Sequence, residues 1–237
     1  MYSKTAEELE SQHILLVDDD TFMLAAVGKV LSNLGFSRIE RAENGQQALE
    51  ILRQGQVDLL LTDVQMPVLN GLELTRQIRS GTAQVPRHLP VVIFTSFSND
   101  DTLGSALALD VNGFLSKPVK PLAIAQKILL ALAEEERVVR AVEDYATVVT
   151  DLDVLLAEGG TAAQVQMQNP VAATQSQCLP VYQLRPNMRL TREVRHQNGS
   201  LLLSAGFVLQ KNTINRLLEL RKVVADQWFY VVSEQSD

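Results

Sequence analysis

The sequence predicts an α/β protein: a doubly wound, five-stranded parallel sheet, then a long helical extension, then a small β-rich C-terminal domain. Three observations carry this. Across residues 13–133, short apolar runs alternate five times with amphipathic stretches, the pattern of parallel strands covered by helices. From 138 to 156, apolar residues recur at a 4-3-4-3-4 spacing whose register extends back through Glu135 and Ala131 to Ile128, with no glycine or proline to interrupt it. After residue 180, apolar side chains fall on alternate positions, and His196-Gln197-Asn198-Gly199 supplies the chemistry of a hairpin turn.

Taken in order, the predicted strands are 13–17, 37–41, 57–62, 90–95 and 112–116. Several are apolar enough to be buried on both faces, as a sheet with helices on both sides requires. Between the first two, Phe22, Ala25, Ala26, Val30, Leu31 and Leu34 lie at helical spacing, and Gly35 ends the helix. Further helices fit 46–53, 71–80, 100–109 and from 119 onward. In the last of these, Ile128, Ala131, Glu135, Val138, Val142, Tyr145, Val149, Leu152 and Leu156 line up as one heptad seam. A straight helix over 119–157 would be about 58 Å long, too long for one small domain to cover. The simplest cover is a second copy of the same helix, which predicts a homodimer through a coiled coil over 134–158. The alternatives are an antiparallel hairpin or a helix folded back on its own domain.

Gly159-Gly160 ends that helix, and 159–179, poor in large apolar residues and rich in Gln, reads as a flexible linker. In 180–237, Met188, Leu190 and Val194 mark extended chain and Leu201-Leu202-Leu203 returns as a partner strand. Asn212 or Thr213 caps one helix bearing Ile214, Leu217, Leu218 and Leu220, and Trp228-Phe229-Tyr230-Val231-Val232 closes the unit as a strand.

Composition narrows the function. With 46% hydrophobic and 21% charged residues the chain buries a real core. No apolar run approaches the roughly 18 residues a membrane span needs, and the first twelve residues lack the basic and apolar blocks of a secretory signal. A cytoplasmic protein without membrane partners is expected. One cysteine, Cys178, and three histidines, His13, His88 and His196, offer no zinc cluster. Of 21 Lys/Arg and 28 Asp/Glu, residues 178–237 hold 8 and 5, leaving 13 and 23 for residues 1–177, so the front carries −10 and the back +3. An acidic front repels phosphate backbones and the back lacks a clustered basic footprint, so nucleic acid is not an expected partner.

In open parallel sheets, ligands bind at the carboxyl ends of the strands. The residues there are consistent: Asp18-Asp19-Asp20 after the first strand, Asp63 after the third, Thr95-Ser96 after the fourth and Lys117-Pro118 after the fifth. Packed carboxylates repel unless a cation joins them, and hard oxygen ligands are what Mg²⁺ prefers. Thr95 and Lys117 add a hydroxyl and an ammonium, the groups that stabilise a transferring phosphoryl. Asp20 reads as a helix cap instead and is left out of the metal shell.

Leu15-Leu16-Val17-Asp18-Asp19, Asp63-Val64-Gln65-Met66-Pro67 with Asn70-Gly71, Thr95-Ser96, and Gly113-Phe114-Leu115-Ser116-Lys117-Pro118 together resemble the receiver domain of bacterial two-component response regulators, over roughly 11–133. The resemblance implies a flavodoxin-like receiver fold and names Asp63 as phosphoacceptor. It implies Mg²⁺ held by Asp18, Asp19, Asp63 and the backbone carbonyl of Gln65, with Thr95 and Lys117 stabilising the phosphoryl group. Thr95 and Phe114 would be the switch residues. The implied partners are a sensor histidine kinase or phosphotransfer protein and a downstream protein not identified by the sequence. A haloacid-dehalogenase-type phosphatase would place its nucleophile after the first strand, at Asp18, and needs a Thr where this chain has Phe22.

The stretch from Tyr182 to Leu217 is more loosely similar to the small β-rich module that precedes HD-GYP domains, without a His-Asp metal pair or a Gly-Tyr-Pro, so no output enzyme is expected. Arg185, Arg189, Arg192 and Arg195 read as a solvated surface. A transcriptional output is the main competitor to a protein-interaction module, but one short helix falls short of a helix-turn-helix.

Overall fold

The computed structural model describes residues 6–96, 100–133, 141–146, 148–156, 176–195, 201–203, 205–219 and 228–233. The chain divides into two units, Met1–Ser98 with Leu109–Leu152, and Asn99–Ala108 with Asp153–Asp237.

The first part of the chain runs α1 (Ala6–Ser11), β1 (His13–Val17), α2 (Thr21–Asn33), β2 (Arg38–Ala42), α3 (Gly45–Gln54), β3 (Leu59–Thr62), α4 (Gly71–Ser80), β4 (Val91–Thr95), α5 (Asp100–Ala108), β5 (Gly113–Ser116), α6 (Pro121–Leu132), α7 (Val142–Ala146) and α8 (Leu152–Leu156). All five strands are parallel in the order β2-β1-β3-β4-β5. That order places the reversal of winding between β1 and β3, where a crevice opens at the carboxyl ends. Every residue of β3 and β4 is buried, whereas the edge strand β2 keeps only Ala42 inside.

Alternation along the strands sorts the core. Ile14, Leu16, Leu59, Leu61, Val92, Phe94 and Leu115 face one side with Leu24, Val27 and Leu31 of α2 and Ile124, Ile128 and Ala131 of α6. Leu15, Val17 and Leu60 are buried on the opposite face. Three helices start on the same device: an Asx residue with extended backbone accepts amide hydrogens of the first turn. Asp20 does so for α2, Asn44 for α3 and Asn70 for α4. Gly81, at φ 79°, closes α4 in the left-handed conformation that glycine adopts without a Cβ clash. Arg79 of α4, 2% exposed, donates to the carbonyls of Arg87, Leu89, Leu109 and Asp110, tying two loops to one helix.

The expected continuous helix over 119–157 does not form, so the coiled coil expected at 134–158 does not continue α6 as one unbroken helix. α6 ends at Leu132 with Ala133 as its C-cap. Ala141 and 148–151 are not helical, and α7 and α8 are five residues each. Glu135 and Val138 of the seam lie outside the described residues. Part of the stripe is buried inside the first unit. Ile128 and Ala131 are spent on the sheet core, and α7 packs against α4 with Tyr145 fully buried. Among the described residues of the segment, α7 lies against α4 of its own unit.

In the second unit, β6 (Gln177–Pro180), β7 (Met188–Leu190) and β10 (Trp228–Ser233) make an antiparallel sheet in the order β6-β10-β7, and β8 (Val194–Arg195) pairs with β9 (Leu201–Leu203). A 3₁₀ turn (Val181–Gln183) and α9 (Lys211–Glu219) complete it. The hairpin turn expected at 196–199 and most of the expected linker lie outside the described residues. The linker boundary at 179 is corrected: Gln177, Cys178 and Leu179 are strand, paired with Val231, Tyr230 and Phe229. The core gathers Leu184, Leu190, Val194, Leu202, Leu203, Leu209, Ile214, Leu217, Phe229 and Val231 around Leu107 of α5. α5 is supplied by the chain between β4 and β5, and its Gly104 admits Leu202 so closely that a Cβ would lie 2.9 Å from that side chain.

Candidate functional site

The site lies where β1, β3, β4 and β5 end. Each ladder extends by one bond past its strand and so fixes the next residue: Asp18 N–H donates to the Ala42 carbonyl at 3.1 Å, Asp63 N–H to Val17 at 2.8 Å and Lys117 N–H to Thr95 at 2.8 Å. Parallel register therefore delivers Asp18, Asp63, Thr95 and Lys117 to one sheet edge, because each stands one residue past or at the end of a neighbouring strand.

Carboxylate oxygens of Asp18, Asp19 and Asp63 lie within 4.8 Å of one another, Asp18 and Asp63 buried and Asp19 exposed. The Lys117 ammonium stands between two of them, donating to Asp18 Oδ2 at 2.6 Å and to Asp63 Oδ2 at 2.7 Å. Such short charge-assisted bonds are the strong class. Its Nζ also lies 4.9 Å from the centre of the Phe94 ring, which forms one wall. Three carboxylates against one ammonium leave two negative charges, so the donor set matches a hard divalent cation in both charge and ligand chemistry. Among the predicted ligands Gln65 sits exposed on the loop after Asp63.

Burial pushes the Asp18 carboxyl up, and the donors Lys117 and Asp20 N–H offset this only in part, so its pKa lies above the usual carboxylate value. For Lys117, burial acts downward but the two carboxylates outweigh it and hold the ammonium above its ordinary value. The lysine thus stays charged.

The backbone around Asp63 is equally constrained. Asp63 Oδ1 accepts the Val64 N–H, Val64 O accepts the Gly71 N–H at 2.9 Å, and Thr62 Oγ1 donates to the Asp63 carbonyl at 2.9 Å. A Cβ on Gly71 would fall 1.9 Å from the Asp63 carbonyl oxygen, so only glycine fits there. Thr95 is fully buried at the end of β4 and the Lys117-Pro118 peptide is cis. Phe114 lies in β5 opposite Ile93, half-buried, away from the carboxylates in register by three residues from Lys117. Asp20 caps α2 through Oδ1, bonded to the Phe22 N–H at 2.9 Å, and takes no place in the acidic cluster.

Residue-type reasoning missed two features. Phe94 reads in the sequence only as part of an apolar strand. Asn70, seven residues past Asp63, uses its amide twice: Oδ1 caps α4 on the Glu73 N–H at 2.8 Å, and Nδ2 donates to the Thr150 carbonyl at 2.9 Å.

The family model for the response regulator receiver domain matches residues 14–129. The chemotaxis protein CheY-3 of Vibrio cholerae is 32% identical over 119 residues, covering 50% of this chain and 90% of that protein. The chemotaxis protein CheY of Pseudomonas aeruginosa is 35% identical over 115 residues, 48% of this chain and 91% of that protein. The Regulator of RpoS of Escherichia coli is 29% identical over 174 residues, 73% of this chain but 50% of that protein. A five-stranded sheet in flavodoxin-like order, acids and a lysine meeting at its carboxyl edge, and these matches agree: the chain belongs to the response regulator receiver domain family and carries a receiver of the kind used in two-component signalling.

Proposed function

We propose that Asp63 accepts a phosphoryl group from the phosphohistidine of a sensor kinase or phosphotransfer protein, and that residues 180–237 pass the signal to a downstream protein in the cytoplasm. The observation that carries this is the Lys117 ammonium bridging Asp18 and Asp63 beside Asp19. Receiver domains bind Mg²⁺ through an acidic pocket of this kind. Here Asp18, Asp19, Asp63 and the Gln65 carbonyl would hold it, and the bound ion would neutralise charge on the phosphoryl oxygens.

A carboxylate oxygen of Asp63 attacks phosphorus, a P–O bond forms, and the P–N bond to histidine breaks. The electron pair of that bond returns to the imidazole. Lys117, freed from Asp63 Oδ2, pairs with a phosphoryl oxygen, and the Thr95 hydroxyl turns to donate to another. Phe114 then repositions with Thr95. Asp18 keeps one acceptor on the Asp20 N–H at 3.0 Å, which holds its carboxylate in place as Lys117 moves.

For the output, the second unit supports a protein-binding role through its exposed aromatics, Tyr182 and Trp228, a residue type enriched at interfaces. The arginines there are engaged locally: Arg189 with the Gly206 carbonyl, Arg192 over the Tyr230 ring and Arg195 with Glu193.

The test is the intact mass after incubation with Mg²⁺ and acetyl phosphate. The wild type gains one phosphoryl group and Asp63→Asn gains none. A gain that survives Asp63→Asn but not Asp18→Asn would overturn the assignment in favour of a nucleophile on β1.

A further inference from the structure

β10 is the centre strand of the second unit's antiparallel sheet, with β6 on one side and β7 on the other. An antiparallel sheet that faces water on one side alternates apolar and polar residues along each strand. β10 does not: it reads Trp228-Phe229-Tyr230-Val231-Val232, the composition of a strand covered on both faces. One face is covered, since Phe229 and Val231 are buried in the unit's core with Leu179 and Leu190 paired to them. The opposite face carries Trp228, Tyr230 and Val232, and the register adds Cys178 opposite Tyr230 and Arg189 opposite Val232. Trp228 is 55% exposed, Cys178 and Arg189 are exposed, and Tyr230 and Val232 are half-buried.

Charge decides what fits there. The Arg192 guanidinium lies 4.0 Å from the centre of the Tyr230 ring. Such stacking holds the planar fork and leaves its in-plane N–H donors for a carboxylate. Arg189 gives Nη1 to the Gly206 carbonyl at 3.0 Å, which fixes a second cation beside Val232. The one carboxylate in the run 188–195, Glu193, is paired with Arg195 at 2.6 Å. An apolar strip edged by two arginines is complementary to a partner that is acidic and apolar together. A second copy meeting this face with its own would set arginine against arginine. A nucleic acid needs a longer basic track than two arginines in a chain of net charge −7.

We propose that the outer face of the β6-β10-β7 sheet is a docking surface and that its occupant is an acidic protein segment, whose apolar side chains cover Trp228, Tyr230 and Val232 while its carboxylates pair with Arg192 and Arg189. This deepens, and rests on, the protein-binding reading of the second unit.

Trp228 is the only tryptophan and Cys178 the only cysteine of the chain, so both the readout and a chemical perturbation sit on this face. The experiment titrates the full chain with a synthetic peptide bearing Phe and Leu among Asp residues, and with the same peptide carrying Lys in place of Asp. Anisotropy of the dye-labelled peptide reports binding anywhere, and Trp228 emission with the unlabelled peptide reports binding at the face. The Asp peptide is expected to bind, to shift the emission and to weaken with added salt, and Arg192→Gln to lose about tenfold in affinity, the effect of one hydrogen bond to a charged group. Alkylation of Cys178 in the folded protein keeps the test open should that variant not fold. Iodoacetate, which leaves a carboxylate opposite Tyr230, should weaken the Asp peptide by a similar factor more than iodoacetamide, which leaves a neutral group of like size. Equal binding of the two peptides would overturn the acidic partner. Binding of the Asp peptide with unchanged Trp228 emission would overturn this face and leave the protein-binding reading standing. Binding of neither peptide would overturn the docking surface, and tighter binding of a labelled uridine oligonucleotide would overturn the protein-binding reading itself.

Discussion

Lys117 is the residue on which the site balances. It is the ammonium that bridges the Asp18 and Asp63 carboxyl groups, and the group positioned to follow a phosphoryl oxygen. Lys117→Met should slow phosphorylation by acetyl phosphate about 100-fold, the cost of one lost transition-state donor, read from the time course of intact mass. The same substitution leaves two buried carboxylates without their shared cation, so the metal-free protein should also lose stability while added Mg²⁺ recovers part of it. Gly71 contributes by lacking atoms. Gly71→Ala would press a methyl into the Asp63 carbonyl, and because that obstacle is backbone, the loop must shift. A loss of about 1–3 kcal/mol is expected from such overpacking, measured by urea unfolding, together with slower phosphorylation.

At the scale of elements, α4 is the hub. Its Arg79 gathers four carbonyls from two loops, and replacing it takes that donor from the buried carbonyls of Leu89 and Leu109. Arg79→Met should cost about 3–5 kcal/mol, seen as a lower urea midpoint. Glu73, near the start of the same helix, is pushed up by burial, but donors from Arg76, Thr150 and Gln77 together outweigh this and hold it below the usual glutamate value. A carboxyl depressed in the folded state adds stability that is full above its unfolded pKa, about 4.3, and is lost as pH falls through the lower folded value. Wild type should therefore melt above Glu73→Gln at neutral pH, and the difference should close on acidification below that range. A gap that persisted into strong acid would mean that Glu73 acts by packing alone.

At the scale of the whole molecule, the second unit takes a helix from the middle of the chain. α5 stands between β4 and β5 in sequence, yet Leu107 belongs to the C-terminal core and Gly104 admits Leu202. Gly104→Leu should cost about 1–3 kcal/mol of that packing and raise the protease sensitivity of 176–233, while phosphorylation at Asp63 by acetyl phosphate persists. Equal loss of both would mean that the two units do not melt separately.

What the sequence by itself determined was local in origin. Strand and helix periods, the Asx cap at Asp20, and the polar residues at strand ends are each written within a few neighbouring positions, and parallel register then carries Asp18, Asp63, Thr95 and Lys117 to one edge. The fate of the seam was not written that way. A heptad spacing states that a stripe must be covered and is silent on what covers it, so Ile128 and Ala131 went to the sheet and Tyr145 to α4 and Asp110, a partner 35 residues away. Only tertiary structure decided this, along with the strand at Gln177–Pro180, whose sequence has no alternation and which is stabilised by β10 some fifty residues later. Such contacts depend on which surfaces remain unfilled after the sheet has closed, a property of the packed molecule.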